Sequence, residues 1–413
     1  MSNQRRRLKM KLLIVHASTQ VPARRRKGLF PSLTLAHLAS LFPLDWDITL
    51  CDESVEDFPA YDKFDLVGVT FYGSAAPRAF SIAEGFRSRG IPVIFGGPGA
   101  TTLPDLCRQR CDSLVVGEAE EVIPQILHDI QSGDLKPSYS SERLPSISSL
   151  PIPRYDLLDP KHYMGVFPVQ TARGCTFRCS FCSIPQLNHN TVRYRPIDDV
   201  VRDIRAAIKA SGSNRIFFVD DHINMNPKRS IELFEAIAPL RIEWYSYATS
   251  IISRQSDVLR LAADSGCRML FIGFESLNQN RLRLMNKQFN LPQGYNDTIA
   301  TIHDHGIHIM PSFIFGLDGE DSSVFQETLD FVESNHLSFP MYHILTPIPG
   351  TELFRSLEED GRLITDDLAH FDGKHVVYQP SSMTADELRD GFEWIVGSTY
   401  GLRSILRRTL LHV

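Results

Sequence analysis

The sequence has no long apolar run and no large excess of charge of either sign. No stretch of its 413 residues approaches the length needed to span a bilayer. A net charge of −6 over this length gives no reason to expect nucleic acid as a partner. An apolar content of 43% and a charged content of 22% are typical of soluble globular proteins, and the length predicts two or three domains.

Cysteine is scarce, and its count excludes a simple disulfide framework. The chain has seven cysteines, an odd number, and three of them fall within eight residues. This pattern fits reduced thiols in a cytosolic protein, so we expect a cytoplasmic location. We interpret the four cysteines outside this group, Cys51, Cys107, Cys111 and Cys267, as structural or incidental.

The three clustered cysteines form a C-x3-C-x2-C run made of Cys175, Cys179 and Cys182. One loop can present three thiolates at this spacing to a single inorganic centre. Three thiolates leave one iron of a [4Fe–4S] cluster without a protein ligand, so that iron is open to a small molecule. Two other interpretations remain: a zinc site completed by His189, and a redox dithiol formed by the C-x-x-C pair.

The residues around these cysteines resemble the radical S-adenosylmethionine (SAM) superfamily. The resemblance is carried by Thr171-Ala-Arg-Gly174 before the first cysteine and by the aromatic Phe181 directly before the third. It implies a [4Fe–4S] cluster whose open iron binds the amino and carboxylate groups of SAM. An electron from the cluster then breaks the sulfonium bond and gives a 5′-deoxyadenosyl radical. Phe181 is implied as a SAM contact near the adenine.

The first third of the chain alternates short β-rich runs with helical patterns. Alternation of this kind predicts a doubly wound parallel sheet that binds ligands at the carboxyl ends of its strands. The predicted strands are Leu12–Val15, Ile48–Leu50, Leu66–Thr70, Val93–Phe95 and Leu114–Val116. Helical spacing appears between residues 35 and 42 and between residues 122 and 130.

This region resembles the Rossmann-like cobalamin-binding domain that precedes many radical SAM barrels. The matching stretches are 66–70, 89–97 and 114–120, although the D-x-H-x-x-G motif that supplies a cobalt ligand in other cobalamin enzymes is absent. The resemblance implies that Phe71, Tyr72 and Ser74 lie near the lower face of the corrin. The other implied cobalamin contacts are Gly96, Gly97, Gly99, Thr101, Gly117 and Glu118.

The remainder of the chain predicts a linker and a second α/β domain. Strand candidates are Val169–Ala172, Ile216–Val219, Trp244–Ala248, Met269–Gly273, Ile309–Phe315 and Tyr342–Leu345. Six such units match the partial (β/α)6 TIM-like barrel that the resemblance implies. We therefore expect a cobalamin-binding domain at 1–135, a linker at 136–165, the barrel at 166–365 and a mostly helical extension at 366–413.

Further SAM contacts are expected after the barrel strands, where function sits in barrels. By the resemblance these are Asp220, Asp221, Gly273, Glu275 and Ser276. Asp220 or Asp221 could instead cap the helix that begins near Pro227. Whether His222 contacts a cofactor or faces solvent is left open.

The resemblance implies cobalamin-dependent methylation of an unactivated carbon, or of a phosphinate phosphorus, in a small-molecule, lipid or pigment intermediate. The alternatives are an oxidation, cyclisation or rearrangement with the same cofactors, and a zinc-stabilised binding protein without redox chemistry. A radical SAM enzyme needs an electron donor such as flavodoxin or ferredoxin. Residues 394–411 read as one basic amphipathic helix, which packs on its own domain or touches a membrane surface.

Overall fold

The computed structural model describes residues 9–19, 27–141 and 143–409. The chain forms two compact units, one made of residues 1–168 with 202–213 and the other of residues 169–201 with 214–413. The predicted α/β class, with a doubly wound sheet followed by a second parallel-type sheet, is confirmed. The predicted limits of the four segments stay a prediction.

The first unit contains a six-stranded parallel sheet in the order β2-β1-β3-β4-β5-β6. Its strands are β1 (Lys11–His16), β2 (Asp47–Asp52), β3 (Leu66–Thr70), β4 (Val93–Gly96), β5 (Ser113–Val116) and β6 (Ser138–Ser140). Its helices are α1 (Leu33–Ser40), α2 (Ala76–Arg87), α3 (Gly97–Thr102), α4 (Pro104–Arg108) and α5 (Ile123–Ser132). The order reverses at β1, so the carboxyl ends of β1 and β3 border the crevice where such sheets bind ligands.

The sixth strand, β6, lies inside the segment that the sequence analysis assigns to the linker. The strand is short and mostly polar, so it has no apolar run by which the sequence could indicate it. Its one buried side chain is Tyr139, whose hydroxyl donates to Asp129 Oδ2 at 2.8 Å. Leu114 of β5 pairs with Ser138, which extends the sheet by one edge strand.

The second sheet has the order β14-β13-β12-β11-β10-β7. Its strands are β7 (Val166–Val169), β10 (Arg215–Phe218), β11 (Glu243–Ala248), β12 (Cys267–Glu275), β13 (His308–Phe315) and β14 (Met341–Ile344). The first barrel strand was predicted to run to residue 172 but ends at Val169. Residues 172–173 form β8 (Ala172–Arg173), which pairs antiparallel with β9 (Arg193–Tyr194).

Helices connect the strands of this sheet or follow them along the chain. They are α6 (Ile184–Leu187), α7 (Ile197–Ser211), α8 (Pro227–Ile237), α9 (Ser256–Asp264), α10 (Gln279–Leu284), α11 (Tyr295–Asp304), α12 (Ser323–Ser334), α13 (Glu352–Glu359), α14 (Ala385–Thr399) and α15 (Leu402–Thr409). Trp244 stacks on Phe234 of α8, and Phe274 packs against Tyr295 of α11. Because strand residues alternate in direction, Tyr247 and Phe271 project from the opposite face, which we call the inner face.

The chain end is not one helix as predicted, because α14 and α15 are separate and meet at Tyr400 and Gly401. Arg408 is only 2% exposed and donates to the backbone carbonyls of Leu337, Ser338 and Thr399. This arginine therefore anchors α15 to its own unit. Residues 410 and 411 lie outside the described residues. Among the described helices, none has both the length and the apolar character that crossing a membrane demands.

Candidate active site

The three clustered cysteines lie in the loop between β8 and α6, and all are partly buried. Burial raises the pKa of Cys175 to about 11 and that of Cys182 to about 12. It also raises the pKa of Cys179, whose charge in turn raises the pKa of the other two. The thiols are thus near enough to influence one another, and a cation beside them would favour their ionisation near neutral pH.

The donor chemistry of this loop fits an iron–sulfur cluster, which is bound by thiolates and supplies the positive charge that the thiolates need. Within the described ranges, no three His, Cys, Asp or Glu side chains are already arranged as a metal site. Convergence of the three cysteines on one centre therefore stays a prediction. His189, the suggested zinc ligand, is an exposed residue with φ of 48° in the turn after α6 and joins no such group.

Asp220 and Asp221 hold the segment that leads into the cysteine loop. Asp220 is buried and accepts hydrogen bonds from the backbone N–H groups of Thr171 (2.7 Å) and Ala172 (3.0 Å), and from the Thr171 hydroxyl. Asp221 accepts from the N–H of Gly174 at 2.9 Å. These bonds explain why β7 stops at Val169: the next N–H groups point to carboxylates instead of a neighbouring strand.

Burial raises the pKa of Asp220 to about 6, although its three hydrogen bonds oppose this shift. Neither aspartate caps the following helix. That task belongs to Asn226, whose side chain accepts from the N–H of Arg229 at 3.2 Å. The capping alternative was therefore wrong, while the SAM contacts assigned to Asp220 and Asp221 stay predictions.

Glu275 forms a buried ion pair that the sequence did not indicate. It lies at a register shift in β12 with φ of 64°, and its Oε1 is 2.5 Å from Lys287 Nζ. Gly273 makes room for the pair, because a Cβ there would overlap Glu275 Oε1. Asn290 fixes the bulge by donating to the carbonyls of Gly273 and Phe274 at 2.8 and 3.1 Å. The second oxygen, Oε2, is buried and has no hydrogen-bond partner among the described residues.

Lys287 connects this ion pair to the cysteine loop. Its ammonium group lies 5.9 Å from the ring centroid of Phe181 and 5.7 Å from that of Phe289. The side chain is only 12% exposed, and its charge lowers the pKa of Cys175 and Cys179 against the effect of burial. No local pattern marks Lys287, because its partner is twelve residues away across a bulge that only the folded sheet creates.

Two other predicted residues have clear surroundings. Ser276 is buried, and its hydroxyl accepts from the N–H of Asn278 at 3.2 Å. His222 is 8% exposed, so the solvent-facing alternative was wrong. Its ring stacks on Phe177 at 5.4 Å, and neither ring nitrogen has a hydrogen-bond partner among the described residues. Burial lowers the pKa of His222 to about 4, so the imidazole is neutral near pH 7.

The candidates for the corrin face divide into one core residue and two surface residues. Phe71 is fully buried and packs on Phe95 with ring centroids 5.3 Å apart, which makes it a core residue. Tyr72 is 62% exposed, and Ser74 is partly exposed. The ring of Tyr72 lies 5.8 Å from that of His16, at the carboxyl end of β1. The sequence search missed His16, although its place directly after an apolar strand was a usable signal.

The glycine loop after β4 and the loop after β5 are tied together at the same sheet edge. Thr101 donates its hydroxyl to the carbonyl of Gly97 at 2.9 Å and accepts from the N–H of Gly117 at 3.0 Å. The N–H of Gly99 donates to the carbonyl of Phe71 at 2.8 Å. The structure therefore brings together the predicted residues Gly96, Gly97, Gly99, Thr101 and Gly117, with Glu118 next along the chain.

An apolar cavity of about 70 Å³ adjoins this loop. Its walls include Ile14, Phe42, Gly68, Gly96, Gly97 and Ile126. Glycine at positions 68, 96 and 97 lets the cavity extend along the sheet without obstruction by side chains. A partly open apolar pocket beside a glycine loop fits a small apolar group of a larger ligand such as cobalamin.

Comparison with known proteins shows which family this chain resembles. Residues 169–332 match the Radical SAM superfamily. The chain is 32% identical over 384 residues to the bacteriochlorophyllide d C-12(1)-methyltransferase of Chlorobaculum tepidum, covering 91% of this chain and 84% of the relative. It is 25% identical over 356 residues to the hopanoid C-2 methylase of Rhodopseudomonas palustris, covering 82% and 66%.

A solved structure shares the fold. The radical S-adenosylmethionine methyltransferase TsrM from Kitasatospora setae, solved with cobalamin and a [4Fe–4S] cluster bound, superposes with a TM-score of 0.67 at 16% identity. The match covers 86% of this chain and 78% of that one. The extent and identity of the match to the Chlorobaculum enzyme, together with the matched domain that contains the three-cysteine loop, confirm the predicted family and that the protein is an enzyme: this chain belongs to the radical SAM superfamily.

Proposed function

We propose that this enzyme uses SAM and cobalamin to methylate an unactivated carbon, or a phosphinate phosphorus, of a small-molecule, lipid or pigment intermediate. The observation that carries the proposal is the presence of two separate sites in one chain. A loop with three thiols follows β8, and a glycine loop beside an apolar cavity follows β4. Each lies at the end of its unit's sheet where ligands bind.

The proposed cofactors divide the difficult chemistry between them: the [4Fe–4S] cluster with SAM supplies the 5′-deoxyadenosyl radical, and cobalamin supplies the methyl group. Cys175, Cys179 and Cys182 are proposed to ligate the cluster. Lys287 would counter the carboxylate charge of SAM, because its ammonium lies beside the cysteine loop. The unpartnered Oε2 of Glu275 would accept a hydrogen bond from a ribose hydroxyl.

The other residues predicted to contact SAM are proposed to have different roles. Phe181 would pack against the adenine, and Gly273 and Ser276 would shape the end of β12. Asp220 and Asp221 would act mainly by holding the loop that enters the cluster site, since their oxygens bind its backbone. The protein contributes orientation and exclusion of water at this site.

Cobalamin is proposed to bind at the carboxyl edge of the first sheet. Its contacts would be Tyr72, Ser74, Gly96, Gly97, Gly99, Thr101, Gly117 and Glu118, with His16 added by the structure. Phe71 would support them from the core. The apolar cavity beside Gly97 would receive an apolar part of the cofactor.

We propose pigment and lipid intermediates among the substrates of this chain, because relatives are named as a bacteriochlorophyllide methyltransferase and a hopanoid methylase. An oxidation, cyclisation or rearrangement with the same cofactors is the second candidate, and the mass of the product separates it from methylation.

We propose a flavodoxin or ferredoxin as the electron donor. We also propose a cytoplasmic location, which the seven free cysteines support. Contact with a membrane surface would use the exposed Tyr400, Leu402 and Leu406.

The test is anaerobic reconstitution of the full chain with iron, sulfide and hydroxocobalamin, followed by metal analysis and absorption spectroscopy. We expect about four irons per chain together with a corrin spectrum. The triple variant Cys175→Ala, Cys179→Ala, Cys182→Ala should lose the iron. A matched control, Cys107→Ala with Cys111→Ala, should keep it, because these two thiols lie in the other unit.

Two outcomes of this experiment would contradict the proposal. Iron without bound corrin would leave a radical SAM enzyme and exclude methylation through cobalamin. Zinc without iron would contradict the cofactor proposal as a whole.

A further inference from the structure

His16 lies at the carboxyl end of β1, on the face of the first sheet that borders the apolar cavity. Leu12 and Ile14 of the same strand line this cavity. Because side chains alternate along a strand, His16 projects on the same side as these two residues. It pairs in register with Asp52 of β2 and with Thr70 of β3, and Thr70 also lines the cavity. The order of strands reverses at β1, so His16 lies at the crevice where sheets of this kind bind ligands.

The imidazole of His16 is partly buried, and it makes no hydrogen bond or ion pair with another described residue. Its ring contacts that of Tyr72, with centroids 5.8 Å apart. The buried carboxylates of Asp52 and Glu53 lie near enough to act on its charge. Each of these carboxylates accepts hydrogen bonds from other residues. The ring nitrogens of His16 are therefore available to a ligand.

The charge state of His16 suits a metal ligand. Burial lowers its pKa, although the carboxylates of Asp52 and Glu53 oppose that shift. The imidazole is therefore neutral near pH 7 and keeps a lone pair on one nitrogen. A neutral imidazole is the commonest side-chain ligand of metal ions. The two carboxylates would stabilise the positive charge that the ring gains when it shares this lone pair, as carboxylates do behind the histidine ligands of metal sites.

Among the residues proposed to contact cobalamin, His16 is the one whose side chain offers a nitrogen donor. The others provide hydroxyl groups, a carboxylate, an apolar ring or the backbone of glycine. We propose that His16 coordinates the cobalt of cobalamin from the side that faces the sheet. This inference rests on the proposed binding of cobalamin, and it assigns a cobalt ligand to a chain that lacks the D-x-H-x-x-G motif. His16 would take the position that the cofactor's own dimethylbenzimidazole base occupies in solution.

The test is electron paramagnetic resonance of the reconstituted full chain, loaded with hydroxocobalamin and reduced by a mild thiol to paramagnetic cobalt(II). An axial nitrogen splits the cobalt lines into triplets when it is ¹⁴N and into doublets when it is ¹⁵N. We expect triplets from the ordinary protein and doublets from protein made with ring-labelled [¹⁵N]histidine. The label separates histidine from dimethylbenzimidazole, whose nitrogen is ¹⁴N in both samples.

Variants identify which histidine is the ligand. In labelled protein, His16→Gln should lose the doublets, because the amide that replaces the imidazole offers no basic nitrogen. His128→Gln removes an exposed histidine of the same unit and should keep them. In unlabelled His16→Ala, added [¹⁵N]imidazole should restore the doublets by filling the space that the side chain leaves.

Corrin content is measured in the same samples, so the two proposals can be told apart. If corrin binds and the triplets persist in labelled wild-type protein, dimethylbenzimidazole is the ligand and the assignment to His16 falls. The assignment also falls if bound corrin shows no nitrogen splitting, or if the doublets survive in His16→Gln. Cobalamin-dependent methylation stands in each of these cases. If the wild-type chain binds no corrin, both proposals fall.

Discussion

At the scale of single residues, the candidate site depends on charged groups that are buried with one specific partner each. Lys287 and Glu275 are the clearest pair, with side chains 12% and 8% exposed. Lys287→Met should lower the free energy of unfolding by about 3–5 kcal/mol, because it leaves a buried carboxylate without its cation. Adding Glu275→Gln should recover most of this loss. Urea unfolding of the four proteins in the cycle measures the effect.

The control for this cycle is a surface pair of similar type. Arg268 and Glu243 are 3.4 Å apart, and both are well exposed. Arg268→Met should cost less than about 1 kcal/mol. A loss of similar size in Lys287→Met would contradict the argument from burial.

His222 should make stability depend on pH. Its pKa is about 4 in the folded chain, against 6.5 when unperturbed. Between these values the unfolded chain takes up a proton that the folded chain refuses, so stability falls as the pH drops from 6.5 towards 4. His222→Gln should remove this loss, which amounts to up to about 3 kcal/mol at the lower pH.

Urea unfolding of the wild type and the variant at pH 7.5, 6 and 4.5 measures this difference. His308→Gln, at an exposed histidine, is the control and should leave the wild-type pH dependence unchanged. If the free energy of unfolding of the wild type does not fall relative to that of His222→Gln as the pH is lowered, His222 is not a buried neutral imidazole.

At the scale of elements, the glycine loop after β4 needs a backbone that other residues cannot adopt. Gly97 has φ of 85°, and a Cβ there would overlap the hydroxyl of Thr70. Gly97→Ala should cost about 1 kcal/mol for the left-handed conformation and about 1–3 kcal/mol more for the overlap. It should also weaken corrin binding, since Gly97 lines the cavity.

Two variants separate the strain from the overlap. Gly133→Ala has a similar φ of 74° with no atom within 4 Å, so it should show the conformational cost alone. Gly97→Ala combined with Thr70→Ala should recover the part that is due to overlap. Thermal unfolding gives the stabilities, and titration with hydroxocobalamin gives the affinity. Equal losses in Gly97→Ala and Gly133→Ala would contradict the predicted overlap.

At the scale of the whole molecule, each compact unit carries one of the two proposed cofactor sites. The triple cysteine variant should therefore lose iron and still bind corrin with unchanged affinity. Gly97→Ala should show the reverse, with weaker corrin binding and a full complement of iron. Iron analysis and corrin titration on the same samples measure both. Loss of both cofactors in either variant would mean that the two sites do not load independently.

The sequence by itself determined the features that are written in neighbouring residues. The spacing of Cys175, Cys179 and Cys182 predicted the candidate cluster loop, and apolar runs located most strands within a residue or two, because local pattern governs both. The sequence did not predict β6, because this strand of three mostly polar residues exists only through its pairing with β5. The sequence also did not predict that β7 ends at Val169, because this end depends on the carboxylates of Asp220 and Asp221, which lie some fifty residues further along the chain.

Only the tertiary structure decided which side chains meet. It paired Glu275 with Lys287 through a bulge, placed Phe71 in the core and buried His222. Such contacts are absent from any local pattern, because strand register and sheet curvature bring together residues that are far apart in the chain. Spacing therefore specifies the candidate cluster loop, while packing decides which charged groups surround it.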